Sequence, residues 1–180
     1  MADVEIVNIA ASGDLGREID IQRLVEDIET PVANYDPDFN ASFIRFEADA
    51  SELVIVYTSG KYIVRGGDTH EKMENTHGQF LSSLDELGVE FDESKFEVNN
   101  VVCVGDLDVE VDLNQLAIVF GMESVEYEPE QFPGLVYRPD NTPSVLLVFS
   151  SGKVVVTGNP SLEVASDAFE ELQERVLEFF

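Results

Sequence analysis

The stretch SSGKVVVTGNP, residues 150–160, reads as the end of a strand, a tight Ser-Gly turn and a second strand rich in β-branched residues. A near copy, TSGKYIVRGGD, stands at residues 58–68. Outward from this pair the two halves of the chain stay in step. Asn8 falls on Asn100, Tyr35 and Pro37 on Tyr127 and Pro129, Ser59-Gly60-Lys61 on Ser151-Gly152-Lys153, and Gly66 on Gly158, all at an offset of 92 residues. Phe39 meets Phe132 and Arg45 meets Arg138 at an offset of 93, and Tyr57 faces Phe149 at 92 again, so the first copy lacks one residue between these blocks. A solenoid needs three or more repeats. Two copies predict a pseudo-symmetric pair of half-domains, residues 1–90 and 91–180.

Each copy parses alike. An apolar stretch opens it (4–11; 96–104), and a helical segment follows (20–29; 113–121). Strands come next, near 39–47, 52–58 and 61–66, then near 132–138, 144–150 and 153–158. A longer helix closes each copy. The first, 69–87, stops at Gly88. The second starts after Pro160 with Ser161 as N-cap and places Leu162, Ala165, Phe169, Leu172, Val176 and Leu177 at helical spacing. Runs of strands with two helices per copy predict the α+β class, an antiparallel sheet with helices on one face.

Composition sets the setting. The chain has 37 acidic residues against 10 basic ones, a formal charge of −27, and 44% hydrophobic residues. The apolar share supports a real core and excludes global disorder. The acid excess repels itself in dilute buffer, while in molar salt the Debye length falls to about 3 Å. Because the acid is spread along the chain, a halophile cytoplasm is the expected home, in preference to an acidic mesophilic interaction protein. The single cysteine, Cys103, excludes a disulfide framework and fits a reducing compartment. The opening MADVEIVNIA lacks a basic region followed by an apolar run, so no leader and no membrane partner is expected.

Alternation places Tyr57, Ser59, Lys61, Ile63 and Arg65 on one side of the first hairpin. Phe149, Ser151, Lys153, Val155 and Thr157 take the matching side of the second. A purely solvated face would not carry Phe132, Phe149 or Val155, so this side reads as a binding surface. Charge agrees. Residues 39–67 have net charge 0 and residues 131–160 have +1, which leaves −28 on the other 121. Half of all basic residues lie in these two blocks. Cations beside aromatic side chains point to nucleic acid.

With YEPEQFPGLVYR (127–138) and LLVFSSGKVVVTG (146–158) on the page, the chain resembles the TATA-box-binding protein family in an archaeal, halophilic form, and the match covers nearly the whole sequence. The resemblance implies a saddle: a curved ten-stranded antiparallel sheet with four helices on the convex face and the minor groove of promoter DNA on the concave one. It implies kinking aromatics at Phe132 with Phe149 and at Phe39 with Tyr57, Pro133 lying beside Phe132. It assigns Asn8 and Asn100 to hydrogen bonds with groove acceptors. Ile63, Val102, Val155 and Leu147 become apolar floor contacts, and Thr157 a polar one. Arg45, Lys61, Arg138, Lys153, Ser59 and Ser151 become phosphate contacts. Glu128 and Glu130 become contacts to transcription factor B, through which RNA polymerase is reached indirectly. The first copy departs from the family pattern. Tyr57 stands for Phe, Ala10 for valine, Asn40 for a small apolar residue and Arg65 for threonine. The implied partners are double-stranded promoter DNA and transcription factor B, with room for a weak homodimer when DNA is absent; the implied cellular place is the cytoplasm.

Other constellations carry less. His70, Glu74 and His77 share a helix face, where a solvated back face is expected in preference to a metal site. Cys103 follows the groove-facing Val102 and should point into the core as a structural thiol. Gly152-Lys153 lacks the phosphate-loop pattern. No Ser/His/Asp set is present, so neither an enzyme nor a cofactor is expected. The competing class is a saddle-fold interaction or ligand-binding scaffold that has lost DNA binding.

Overall fold

Side-chain alternation sorts both halves into a layer under helices and a layer away from them. The computed structural model describes residues 3–92 and 95–180; Met1 and Ala2, at the head of the stretch read for a leader, lie outside the described residues. Two units emerge, Asn8–Asn99 and Asn100–Phe180 with the segment ending at Val7, and a strand that crosses a boundary is counted with the unit that holds most of its residues.

The first unit runs β1 (Val4–Asp14), α1 (Ile21–Asp27), β2 (Val32–Asp36), β3 (Ala41–Arg45), β4 (Leu53–Tyr57), β5 (Lys61–Gly67) and α2 (His70–Glu86). Its strands pair antiparallel in the order β2-β3-β4-β5-β1. Val54, Val56, Tyr62 and Val64 are buried on one side with Ile9 and Ala11 of β1. Helix α2 covers β4 and β5 with Met73, Thr76, Phe80 and Leu84, an i, i+3, i+7, i+11 stripe. Burying each such aliphatic side chain contributes about 1.5–3 kcal/mol, and truncating a ring like the fully buried Phe80 costs about 3–5 kcal/mol. The helix starts where Thr69 accepts the Lys72 N–H and stops at Gly88, whose φ is +74°.

The second unit runs β6 (Glu97–Asp106), α3 (Leu113–Phe120), β7 (Val125–Glu126), β8 (Leu135–Tyr137), β9 (Val145–Val148), β10 (Lys153–Thr157) and α4 (Leu162–Leu177), with strand order β6-β10-β9-β8-β7. Val148, Val154, Val156, Leu146 and Cys103 are buried beneath α4, which brings Ala165, Phe169, Leu172 and Val176. Cys103 is therefore the core thiol expected, and burial raises its pKa. Ser161 caps α4 as the sequence predicts. No helix among the described residues is long and apolar enough to cross a membrane.

Two strand boundaries differ from the sequence reading. Phe39 and Phe132 precede β3 and β8 instead of lying in them. Asp36 accepts the Asp38 N–H to close a turn, and Asn40 sits at φ +49°, which takes the chain out of pairing just before Ala41. The short strands β2 and β7 complete the five strands per half that a ten-stranded sheet requires, at positions that turn and period signals do not mark.

The Ser-Gly turns explain their own repetition. In both hairpins the glycine N–H bonds to the aromatic residue that opens the turn, Gly60 to the Tyr57 carbonyl and Gly152 to that of Phe149, each at 2.9 Å. Both glycines lie near φ +90°, and a Cβ there would overlap the carbonyl oxygen of Arg17 or Val109. Leu15 N–H to Gly60 and Leu107 N–H to Gly152, both 2.9 Å, tie each tip to the segment between the unit's first strand and first helix.

Candidate nucleic-acid interface

In each unit the side of the sheet away from the long helix is apolar but incompletely covered. In the second unit Val102, Val136, Leu147, Val155 and Thr157 lie half-buried there. Phe132 and Phe149 stand at its edge in a T-shaped pair, ring centres 5.8 Å apart and planes at 68°, with Phe132 39% exposed. The pair closes over Gly134, whose missing Cβ would lie 2.8 Å from the Phe132 ring and 3.1 Å from that of Phe149. Pro133 is exposed between them in the loop. Asn100 is oriented by the backbone: Gly158 N–H donates to its Oδ1 at 2.9 Å, which fixes Nδ2 as the outward donor, and Nδ2 donates to Thr157 Oγ1 at 3.0 Å.

At the rim, Ser151 is exposed, and Lys153 pairs with Asp106 at 2.6 Å. That hydrogen bond lowers the Asp106 pKa and raises that of Lys153. Arg138 reaches Glu126 at 3.4 Å. The two cationic phosphate contacts expected of this unit are thus held by carboxylates on the solvent-exposed rim, where such pairs are weak and exchangeable. Glu128 and Glu130 are exposed, and the Glu128 carbonyl accepts from Gln131 N–H at 2.9 Å and Phe132 N–H at 3.0 Å, so this loop also positions the aromatic pair.

The first unit repeats the layout with different contacts. Asn8 Oδ1 accepts Gly66 N–H at 2.8 Å, again turning Nδ2 outward, and that Nδ2 has no partner among the described residues. Ala10 lies opposite Arg65 in register. Tyr57 and Ile63 pack with Phe43 on Ala41, Leu53 and Ile55. Phe39, at 70% exposure, stands clear of them. Ala41 holds the place that Gly134 holds in the second unit. Arg45 is anchored within the fold, its Nη1 donating to the carbonyls of Ala50, Ser51 and Glu52 at 2.9, 3.2 and 3.2 Å. The β3–β4 loop uses this arginine as an internal clamp. Ser59, Lys61 and Arg65 are exposed.

Sequence reasoning missed Phe43, Ile55 and Val136, which complete the apolar floor, although Ile55 is the repeat partner of the named Leu147. Stepping back two residues from Tyr57 would have found it. It also missed Lys95, which lines the same shallow concavity as Ser59, Lys61, Tyr57 and Asp14. One expectation fails on the opposite side. His77 is not on a solvated face: Tyr62 Oη lies 2.7 Å from its Nε2, and its ring stacks on Phe96 with centres 3.5 Å apart. Burial lowers its pKa, which favours the neutral ring. The described residues hold no cluster of three or more metal-ligating side chains. Away from the interface, Arg17, Arg23 and Lys72 pair with Glu90, Asp27 and Asp68. Arg175 donates to Tyr137 Oη at 2.7 Å and covers the Phe120 ring.

Comparison with known proteins bears on this face. The family model described as transcription factor TFIID, or TATA-binding protein, matches twice, over residues 3–87 and 95–179. The two matches start 92 residues apart, the offset of the repeat. The chain is 48% identical to TATA-box-binding protein C of Halobacterium salinarum over 97% of its length and 98% of the relative's. It is 37% identical to the TATA-box-binding protein of Archaeoglobus fulgidus, over 96% and 94%. The solved structure of Methanococcus jannaschii TBP superposes with a TM-score of 0.82 at 33% identity, covering 98% of this chain and 99% of that one. The ten antiparallel strands and four helices among the described residues thus form the expected α+β fold.

Proposed function

Since the chain belongs to the TATA-binding protein family and so to a family of general transcription factors, we propose that it binds A·T-rich promoter DNA through the minor groove, bends it, and recruits transcription factor B and, through it, RNA polymerase. The observation that carries this reading is the Phe132–Phe149 pair beside an apolar floor and an asparagine whose amide donor is turned outward by the backbone.

Each part has a task. Minor-groove A·T pairs present acceptors only, and the outward Nδ2 atoms of Asn8 and Asn100 are donors. Val102, Val155 and Leu147 pack where the guanine amino group would intrude. The aromatic pair is exposed enough to enter a base step yet seated well enough to hold its angle; apolar wedging that unstacks and kinks DNA is a behaviour for which this family is itself the standard example. Phosphates would displace Asp106 from Lys153 and Glu126 from Arg138, and fix register more than they supply affinity. Glu128 and Glu130, on the loop that positions Phe132, present carboxylates to the partner factor.

The test is binding in molar KCl to A·T-rich and G·C-rich duplexes, with bending read by end-to-end energy transfer. Phe149→Ala should fold and lose most of the bend. Binding to neither duplex would establish instead a scaffold of this fold that has lost DNA binding, and equal affinity for both with no bend would refute A·T recognition. Failure of Phe149→Ala to fold would make that ring a core residue.

A further inference from the structure

The two units share one order of elements but carry different side chains, and the differences in charge and floor point one way. Most of the ten basic residues are engaged within the fold, on carboxylates, carbonyls or the Tyr137 ring system. Lys61, Arg65 and Lys95 are not: none of their side chains makes a hydrogen bond or ion pair with a described residue. All three belong to the first unit. Lys61 and Lys95 share one concavity, and Arg65 lies on the Lys61 side of β5, the side that alternation turns away from α2. In a chain of charge −27, an unpaired cation is surrounded by candidate partners. Three left on one surface are available to an outside polyanion.

The apolar floor differs in the same sense. Val102 faces the groove side in the second unit, and Ala10 takes its place in the first. Two side-chain carbons are missing there, about the room that an exocyclic amino group needs. Asn100 Nδ2 is held by Thr157, while Asn8 Nδ2 is free and the threonine is replaced by Arg65. A guanidinium donates to groove acceptors or phosphates regardless of base identity. The second unit, by contrast, has its rim cations neutralised by Asp106 and Glu126 and its floor filled.

We propose that the two units divide the work of binding: the first anchors the duplex through Lys61, Arg65 and Lys95 with little discrimination between A·T and G·C, and the second, through Val102, Val155 and the Asn100–Thr157 pair, supplies most of the sequence discrimination. The proposal rests on the DNA-binding reading above.

The experiment uses the full chain in salt where circular dichroism shows it folded, with three duplexes. One has a symmetric A·T-only site, one a single G·C pair in one half, and one a G·C pair in both halves. Orientation is read by DNA cleavage from an iron chelate on Glu128→Cys, the native Cys103 being buried. The A·T-only site should be cut at both ends. A single G·C pair should gather the cuts at the end away from it, with affinity within about threefold. G·C in both halves should lower affinity at least about tenfold, the usual scale of a mismatched pair. Lys95→Ala should weaken all three duplexes alike and shift the log affinity against log salt slope by about 0.9. The double variant Ala10→Val with Arg65→Thr should remove the orientation preference. Cuts at both ends of the single-G·C duplex, or a tenfold loss on it, would overturn the division of labour while leaving DNA binding intact. Absence of binding to the A·T-only site at every salt would overturn the functional reading as well.

Discussion

Gly134→Ala tests the wedge without touching either ring. The new methyl would stand 2.8 Å from the Phe132 ring and 3.1 Å from that of Phe149, against about 3.5–4.0 Å for ordinary carbon contacts. Phe132 must therefore retreat by about 1 Å. Gly134 is not among the residues at positive φ, so the backbone accepts alanine. The retreat weakens an edge-to-face pair of about 0.5–1.5 kcal/mol, while replacing glycine recovers about 0.4–1 kcal/mol through the unfolded state. Net stability should change by less than about 1 kcal/mol, or about 2–4 °C in Tm for a chain of this size. Binding should change more. The exposed part of Phe132, 39%, is roughly 80 Å² of a ring side chain and contributes roughly 2 kcal/mol if fully buried against bases. Losing half of that contact is about 1 kcal/mol, or about fivefold in affinity, with a smaller bend. Energy transfer across an end-labelled duplex and thermal unfolding in matched molar salt measure the two effects. A variant with wild-type bend and affinity would show that the pair is not the wedge. A fall in Tm beyond about 10 °C would show that Gly134 is a packing position of the core and the rings are structural.

Three further outcomes are expected. Glu130→Arg should keep binary DNA binding and impair capture of transcription factor B; a ternary complex of unchanged affinity would remove this loop from the partner surface. Affinity for A·T-rich DNA should rise or stay flat from dilute to molar salt, because the net −27 repels phosphates most when screening is weak; isotherms on protein shown to be folded at each point decide it, and a steep fall refutes it. For His77, burial sets the folded pKa below the unfolded value of about 6.5, so the unfolded state binds more protons between those values and stability is lost as pH falls through that window. Wild type should lose more Tm than His77→Gln on acidification from about pH 7 to about pH 5, and equal losses would mean that the ring takes up its proton in place.

The repeat, the helices and the buried valines were legible because they follow period and spacing. Ser161 and Gly88 act locally as cap and stop, and Val148, Val154 and Val156 alternate as expected. The site was legible where one copy could be laid on the other. It was not legible where a contact depends on the third dimension. Nothing local in the sequence says that Arg45 folds back onto three carbonyls, that Lys153 meets Asp106, or that His77 is shut in by Tyr62 and Phe96. Lys95 escaped notice because it lies outside the hairpins and its repeat partner, Asp3, is acidic.

The separation of the two sheet faces has an evolutionary consequence. On β5, Val64 serves the core while its neighbours Ile63 and Arg65 serve the opposite side. What a half of this protein reads can therefore drift without disturbing what holds it together. Alanine and valine codons differ by a single base, so a position such as Ala10 lies one mutational step from the filled floor of the other half. A lineage that keeps several copies of such a gene can diversify promoter choice in small, individually viable steps, each copy folding as well as its parent.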